Sequence, residues 1–123
     1  MFSDALLDHF QHPRNAGELS GATAQVEVSN PVCGDILQLA AILDGHRIRE
    51  TRFLCRGCTA SIASASLLTE LMQGRELIEL DSIRPESLAQ SLGGLPPASF
   101  HAAQLAVDAL KSLLPKLRQN SHL

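Results

Sequence analysis

The sequence predicts an α+β fold in which helices pack on one face of a three-stranded antiparallel sheet. Three observations predict it. Apolar and polar residues alternate at period two over 24–29. Two further strand-like runs, 36–43 and 47–54, are joined by Asp44-Gly45. From Cys58 onward the apolar period becomes helical.

Taken in order, residues 3–11 read as a short helix. Ser3 is placed to cap it, Asp4 lies near the positive end of its dipole, and Leu6, Leu7 and Phe10 form an apolar stripe that ends at Pro13. The run 24–29 alternates as a half-buried strand does. The run 36–43 is nearly all apolar, as in a central strand covered on both faces. Asp44-Gly45 is a hairpin signal, so 47–54 returns antiparallel, with an alternation that is only approximate. Over 58–72, Ile62, Ala65, Leu68 and Met72 share one stripe with Leu71 beside it, and Gly74 marks the stop. Residues 75–80 allow one helical turn or two. Residues 84–92 read as a short helix with Pro85 in its first turn. Gly93-Gly94 and Pro96-Pro97 form a stiff loop. The last helix spans 99–114 with Leu105, Ala109, Leu113 and Leu117 in register, and Pro115 is expected to end or kink it.

The chain of 123 residues fits one domain spanning 1–123. It contains no Trp and no Tyr, and no basic tract accompanies its net charge of −3, so nucleic acid is a poor partner. An apolar run long enough to span a membrane is missing, and Asp4, Asp8 and His9 argue against a signal peptide. Three cysteines without a disulfide-scaffold spacing read as free thiols of a cytoplasmic protein.

Those thiols carry the chemistry. Asn30-Pro31-Val32-Cys33-Gly34-Asp35 puts a thiol and a carboxylate on one loop between strands. Cys58 opens a helix, where the dipole and free N–H groups favour a thiolate, and His101 opens the last helix. Cys33, Asp35, Cys58 and His101 make a four-ligand set suited to zinc or iron. The same residues have plainer readings: a lone cysteine is often a small buried hydrophobe, and Asp after Gly is common in turns. Cys55 forms a C-x-x-C with Cys58. It is either a further thiolate for the site or the end of the third strand, with its side chain in the core.

At these residues the chain resembles the U-type iron–sulfur cluster scaffolds: IscU, the N-terminal domain of NifU, and SufU. Asp8-His9-Phe10-Gln11-His12-Pro13-Arg14-Asn15-Ala16-Gly17 is similar to the family's N-terminal motif. Residues 30–35 resemble the first cysteine loop. Gly57-Cys58 with Ala60-Ser61-Ile62-Ala63-Ser64-Ala65-Ser66 resembles the second. Leu95-Pro96-Pro97 before His101 resembles the approach to the third. The resemblance covers nearly the whole chain and implies the same α+β fold. It implies Cys33, Asp35, Cys58 and His101 as ligands of iron or a labile [2Fe–2S] cluster, with zinc as an alternative occupant. A principal persulfide acceptor of IscU-type members is the third cysteine, and the similarity to SufU implies Cys33 as the acceptor here. The partners the resemblance implies are a cysteine desulfurase, a cluster acceptor and a frataxin-like factor.

Two positions depart from the family. The third cysteine, which follows the histidine, is here Ala102, and the lysine used in recognition by an Hsp70 chaperone is Ser99. The insertion typical of SufU is missing. Three functions are expected from this pattern: a cluster scaffold or iron/sulfur carrier without enzymatic turnover; a zinc-dependent sulfurtransferase whose Cys33 is the nucleophile; and a degenerate homologue that binds and regulates the desulfurase.

Overall fold

The computed structural model describes residues 1–31 and 33–120; Val32, within the first cysteine loop, and residues 121–123 lie outside them. The elements in chain order are α1 (Asp4–Gln11), β1 (Ala24–Ser29), β2 (Ile36–Asp44), β3 (Arg47–Arg56), α2 (Thr59–Met72), α3 (Leu77–Leu80), α4 (Pro85–Ser91), a 3₁₀ turn (Pro97–Ser99) and α5 (Phe100–Gln119). The sheet is antiparallel in the order β1-β2-β3, and α2 and α5 pack on one of its faces, as expected.

Register explains the strands. Leu39 lies between Val26 of β1 and Phe53 of β3, and Leu37 lies opposite Cys55. These side chains face the helices, and Leu37, Leu39 and Phe53 are buried. The approximate alternation of β3 has a local cause: the register slips between Ile42 and Leu43, leaving Arg49 as the extra residue of a bulge. The expectation that both faces of the central strand are covered is corrected. The helices lie on one face, while Ile36, Gln38 and Ile42 on the other are only half-buried. Ala40 is buried there, between Gln25 and Arg52 in the register, because a methyl group is too short to rise above its neighbours.

α2 is also more enclosed than a single stripe predicts. Residues 60–61 and 63–69 are all buried, whereas Ile62 is not fully so. Its Ala and Ser side chains let α1 approach on one side while the sheet and α5 take the others. Ser3 Oγ accepts from Leu6 N at 3.0 Å and donates to the carbonyl of Leu92, tying the start of α1 to the end of α4. Gly93, at φ +81°, permits this closeness: a Cβ there would lie 2.7 Å from Ser3 Cβ.

Pro115 neither ends nor visibly interrupts α5, which runs to Gln119. The proline frees the carbonyl of Lys111, four residues back, and both residues are exposed, so the missing bond falls on the solvent side of the helix. Buried Leu117 and the Arg118–Asp81 ion pair at 2.7 Å hold the last turn beyond it. Pro97, expected in the stiff loop, and Ser99, expected as the start of the last helix, belong to the 3₁₀ turn that leads into α5.

His9 is buried between α1 and α2. Its Nδ1 lies 2.8 Å from Ser66 Oγ and its Nε2 lies 3.6 Å from Glu70. Burial pushes the imidazole below its ordinary value of 6.5. The Arg14 guanidinium adds to that shift, while Glu70 and Asp8 offset part of it. The folded protein therefore holds fewer protons than the unfolded chain just below pH 6.5. Stability is expected to be full above that pH and to fall as the pH drops toward the folded-state value. Urea unfolding of the parent and of His9→Gln between pH 5 and 7.5 checks this. The variant should show a shallower slope, and equal slopes would refute the assignment.

Candidate metal centre

The pairing of Ile36 with Arg56 sets Asp35 beside Gly57 at one end of the sheet. The loop before β2 is closed by Asn30 N–H donating to the Asp35 carbonyl at 2.8 Å and Gly34 N–H donating to the Asn30 carbonyl at 2.7 Å. Asp35 is 6% exposed. Its carboxylate lies against the backbone of Gly57, where a Cβ would come within 2.8 Å of Asp35 Cγ and 3.1 Å of each carboxylate oxygen. Only glycine gives the carboxylate this seat.

Cys58 is the N-cap of α2 and makes no side-chain capping bond. Its thiol is exposed and lies 3.7 Å from Asp35 Oδ2 and 3.2 Å from Ser61 Oγ. The 3₁₀ turn brings His101 to the same place. His101 Nδ1 lies 3.1 Å from the Ala98 carbonyl. A carbonyl only accepts, so the neutral ring carries its proton on Nδ1. Nε2 then presents its lone pair toward Asp35 Oδ2, 3.9 Å away. Cys33, exposed on its loop, completes a set: one ligand atom each from Cys33, Asp35 and His101 lie within 4.8 Å of one another.

Three of the four residues singled out from sequence thus converge directly, and Cys58 joins them through Asp35. The donor set fits a metal. Thiolate, imidazole and carboxylate are the ligand types of zinc and iron sites. A tetrahedral ion with bonds of about 2.0–2.3 Å needs its ligands roughly 3.5 Å apart, a modest closure for an exposed loop. The Ala98 carbonyl supplies the orienting partner that a ligating histidine requires.

Cys55 lies apart from this set. It packs against the hydrophobic core, as the plainer of its two readings has it. Burial, with smaller contributions from Asp35 and Cys58, pushes its thiol up to about 12, so it stays protonated at neutral pH. Ala102 is 1% exposed on the core side of α5 and offers no donor atom. No cysteine is in a disulfide. Gly57 and Ser61 belong to the site but are visible in the sequence only as letters of a motif. The one signal for Ser61 is its place a helical turn after Cys58.

Among the described residues no helix is long and apolar enough to cross a membrane. The family model of the NifU-like N-terminal domain matches residues 1–122. The iron–sulfur cluster assembly scaffold protein IscU 1 of Archaeoglobus fulgidus is 39% identical over 121 residues, covering 98% of this chain and 79% of its own. IscU of Azotobacter vinelandii is 39% identical over 115 residues, covering 90% of this chain and 89% of its own. The crystal structure of the N-terminal part of a NifU-like protein from Brucella abortus superposes with a TM-score of 0.79 at 15% identity, over 95% of this chain and 94% of that one. With the family model matching residues 1–122 and IscU relatives 39% identical over most of its length, the chain belongs to the NifU-like N-terminal domain family.

Proposed function

We propose that this protein is an iron–sulfur assembly scaffold or carrier, holding iron and sulfide as cargo in the form of a labile [2Fe–2S] cluster. The observation that carries the reading is the convergence of Cys33, Asp35 and His101 within 4.8 Å at the exposed end of the sheet. The function for which the IscU relatives are named, cluster assembly scaffold, supports it. In this reading Cys33, Asp35, Cys58 and His101 are the ligands, and the protein turns over no substrate of its own.

Cys33 is exposed on its loop, whereas the Cys58 thiol, though exposed, is engaged by Asp35 and Ser61, so Cys33 is the group to receive sulfur. Its thiolate attacks the terminal sulfur of a desulfurase persulfide. The new S–S bond forms on Cys33 as the old one breaks, and the desulfurase thiolate leaves. The partners are a cysteine desulfurase and a downstream acceptor, with a frataxin-like factor as a third, and the compartment is the cytoplasm. Mixed cysteine and histidine ligation of a [2Fe–2S] cluster is chemically sound. A cluster held at an exposed edge is easily given up, which suits a donor. Zinc fits the same donors and is the alternative occupant.

Ala102 favours a second reading, in which the chain binds a cysteine desulfurase and regulates it without building clusters, because a buried methyl group replaces a donor. One experiment separates the readings. Iron and acid-labile sulfide are measured after anaerobic reconstitution with iron, cysteine, a desulfurase and a thiol reductant, which supplies the two electrons that turn persulfide sulfur into sulfide, for the parent and for Cys33→Ser. Iron, sulfide and visible absorbance are expected in the parent and are lost in the variant. Zinc without sulfide would make the chain a zinc-dependent persulfide acceptor. Desulfurase binding with neither would make it a regulator.

A further inference from the structure

The ligand reading leaves the hydroxyl of Ser61 unused. Ser61 sits at the third helical position of α2, where a polar side chain ordinarily turns back to the N-cap backbone. Here it turns aside instead: Oγ donates to Asp35 Oδ2 and lies 3.2 Å from Cys58 Sγ. Ser61 is 2% exposed, so water does not compete for that carboxylate oxygen from its side. The same oxygen is approached by Cys58 Sγ at 3.7 Å and by His101 Nε2 at 3.9 Å. On another side the carboxylate rests against the bare backbone of Gly57.

We infer that Ser61 is the positioning residue of this centre: its hydroxyl clamps Asp35 Oδ2 beside Cys58 Sγ, so that the first turn of α2 presents a preformed half-site to the metal. The inference rests on the function proposed above only in taking Asp35 as a ligand. The terminal torsion of an aspartate is broad, so a free carboxylate samples many orientations. A buried hydroxyl on one lone pair of Oδ2 and a backbone against the carboxylate restrict it to one. The second lone pair of Oδ2 faces the Cys58 thiol, which donates to it, and that lone pair is released to a metal when the thiol gives up its proton on ligation. Outer groups that hold ligands in this way typically contribute about 10–100-fold in metal affinity.

The test uses the full chain with Co(II) and Zn(II), each titrated in competition with a chromophoric chelator. Four proteins are compared: the parent, Ser61→Ala, Asp35→Ala and the double variant. Alanine is a better helix former than serine, so Ser61→Ala should still fold, with a melting temperature lowered by the loss of one buried hydrogen bond. Ser61→Ala is expected to weaken Co(II) binding by about 10–100-fold and to shift the visible bands of the bound Co(II). In the Asp35→Ala background it should cost less than about twofold, because the group it acts through is gone. Equal losses in both backgrounds would mean that Ser61 acts by packing, and would overturn the inference. Parental affinity in Ser61→Ala, with metal bound by the parent, overturns this inference alone. A parent that binds neither ion overturns the proposed function, and the inference falls with it.

Discussion

Gly57→Ala is expected to remove tight metal binding while leaving the chain folded. The added Cβ would stand 2.8 Å from Asp35 Cγ, closer than non-bonded carbon atoms pack, so the carboxylate must rotate away. Rotation takes Oδ2 from Ser61 and from the space facing His101 and Cys58 at one stroke. Affinity for Zn(II) or Co(II) should fall by about 100-fold or more, beyond the loss of an outer group, because a proposed ligand itself is displaced. The stability cost is smaller, about 1–3 kcal/mol, from leaving the buried Ser61 hydroxyl without its acceptor. Chelator competition and thermal melting of the same sample give both numbers. Parental affinity in this variant would show that the carboxylate is not wedged against this backbone.

The largest stability effect is expected at Leu39→Ala. Leu39 is fully buried at the middle of the central strand, flanked by Val26 and Phe53, with the helical layer above it. Truncation removes the transfer free energy of the lost carbons and leaves a cavity that strands pinned on both sides are slow to close. The cost is about 2–5 kcal/mol. That is a large share of the total of about 5–15 kcal/mol that holds a domain together. The melting temperature should fall by roughly 8–20 °C. In urea the midpoint should drop with little change in slope, since the surface exposed on unfolding is nearly the same. A loss below about 0.5 kcal/mol, the range of surface substitutions, would place Leu39 outside the core.

The fold is legible in the sequence because its signals are local. Period-two alternation, a hairpin dipeptide and the change to a helical period lie in contiguous stretches, and each finds its element within one or two residues. The errors have physical reasons. Pro115 suggests a break in α5, but its missing bond falls on the wet side of the helix, and which side is wet depends on how the helix docks. The uneven alternation of β3 hides a bulge at Arg49, because one extra residue reverses the phase of the residues beyond it. The apolar run of β2 suggests two covered faces, whereas short residues such as Ala40 are buried by their neighbours alone.

The candidate site is legible in its proposed ligands and illegible in its supports. Cys33, Asp35, Cys58 and His101 announce themselves by chemistry. Gly57 matters for what it lacks, and Ser61 for a hydrogen bond to a residue that is distant in the chain. Neither fact has a sequence period. Both arise from the register that sets Asp35 beside the start of α2.

That centre draws its groups from a loop before the second strand, from the first turn of α2 and from the first turn of α5, which is the last helix of the fold. A chain emerging from the ribosome therefore carries its thiols long before its imidazole, and the imidazole takes its place only once α5 has docked on the sheet. The ordering entropy of the long intervening segment is settled before the last ligand arrives. Capture of a metal is thus tied to completion of the fold. An ion that binds the native chain in preference to the unfolded one raises the melting temperature in proportion to the logarithm of its concentration. On the proposed ligand set, occupancy of the centre is itself a report on whether α5 has reached its place.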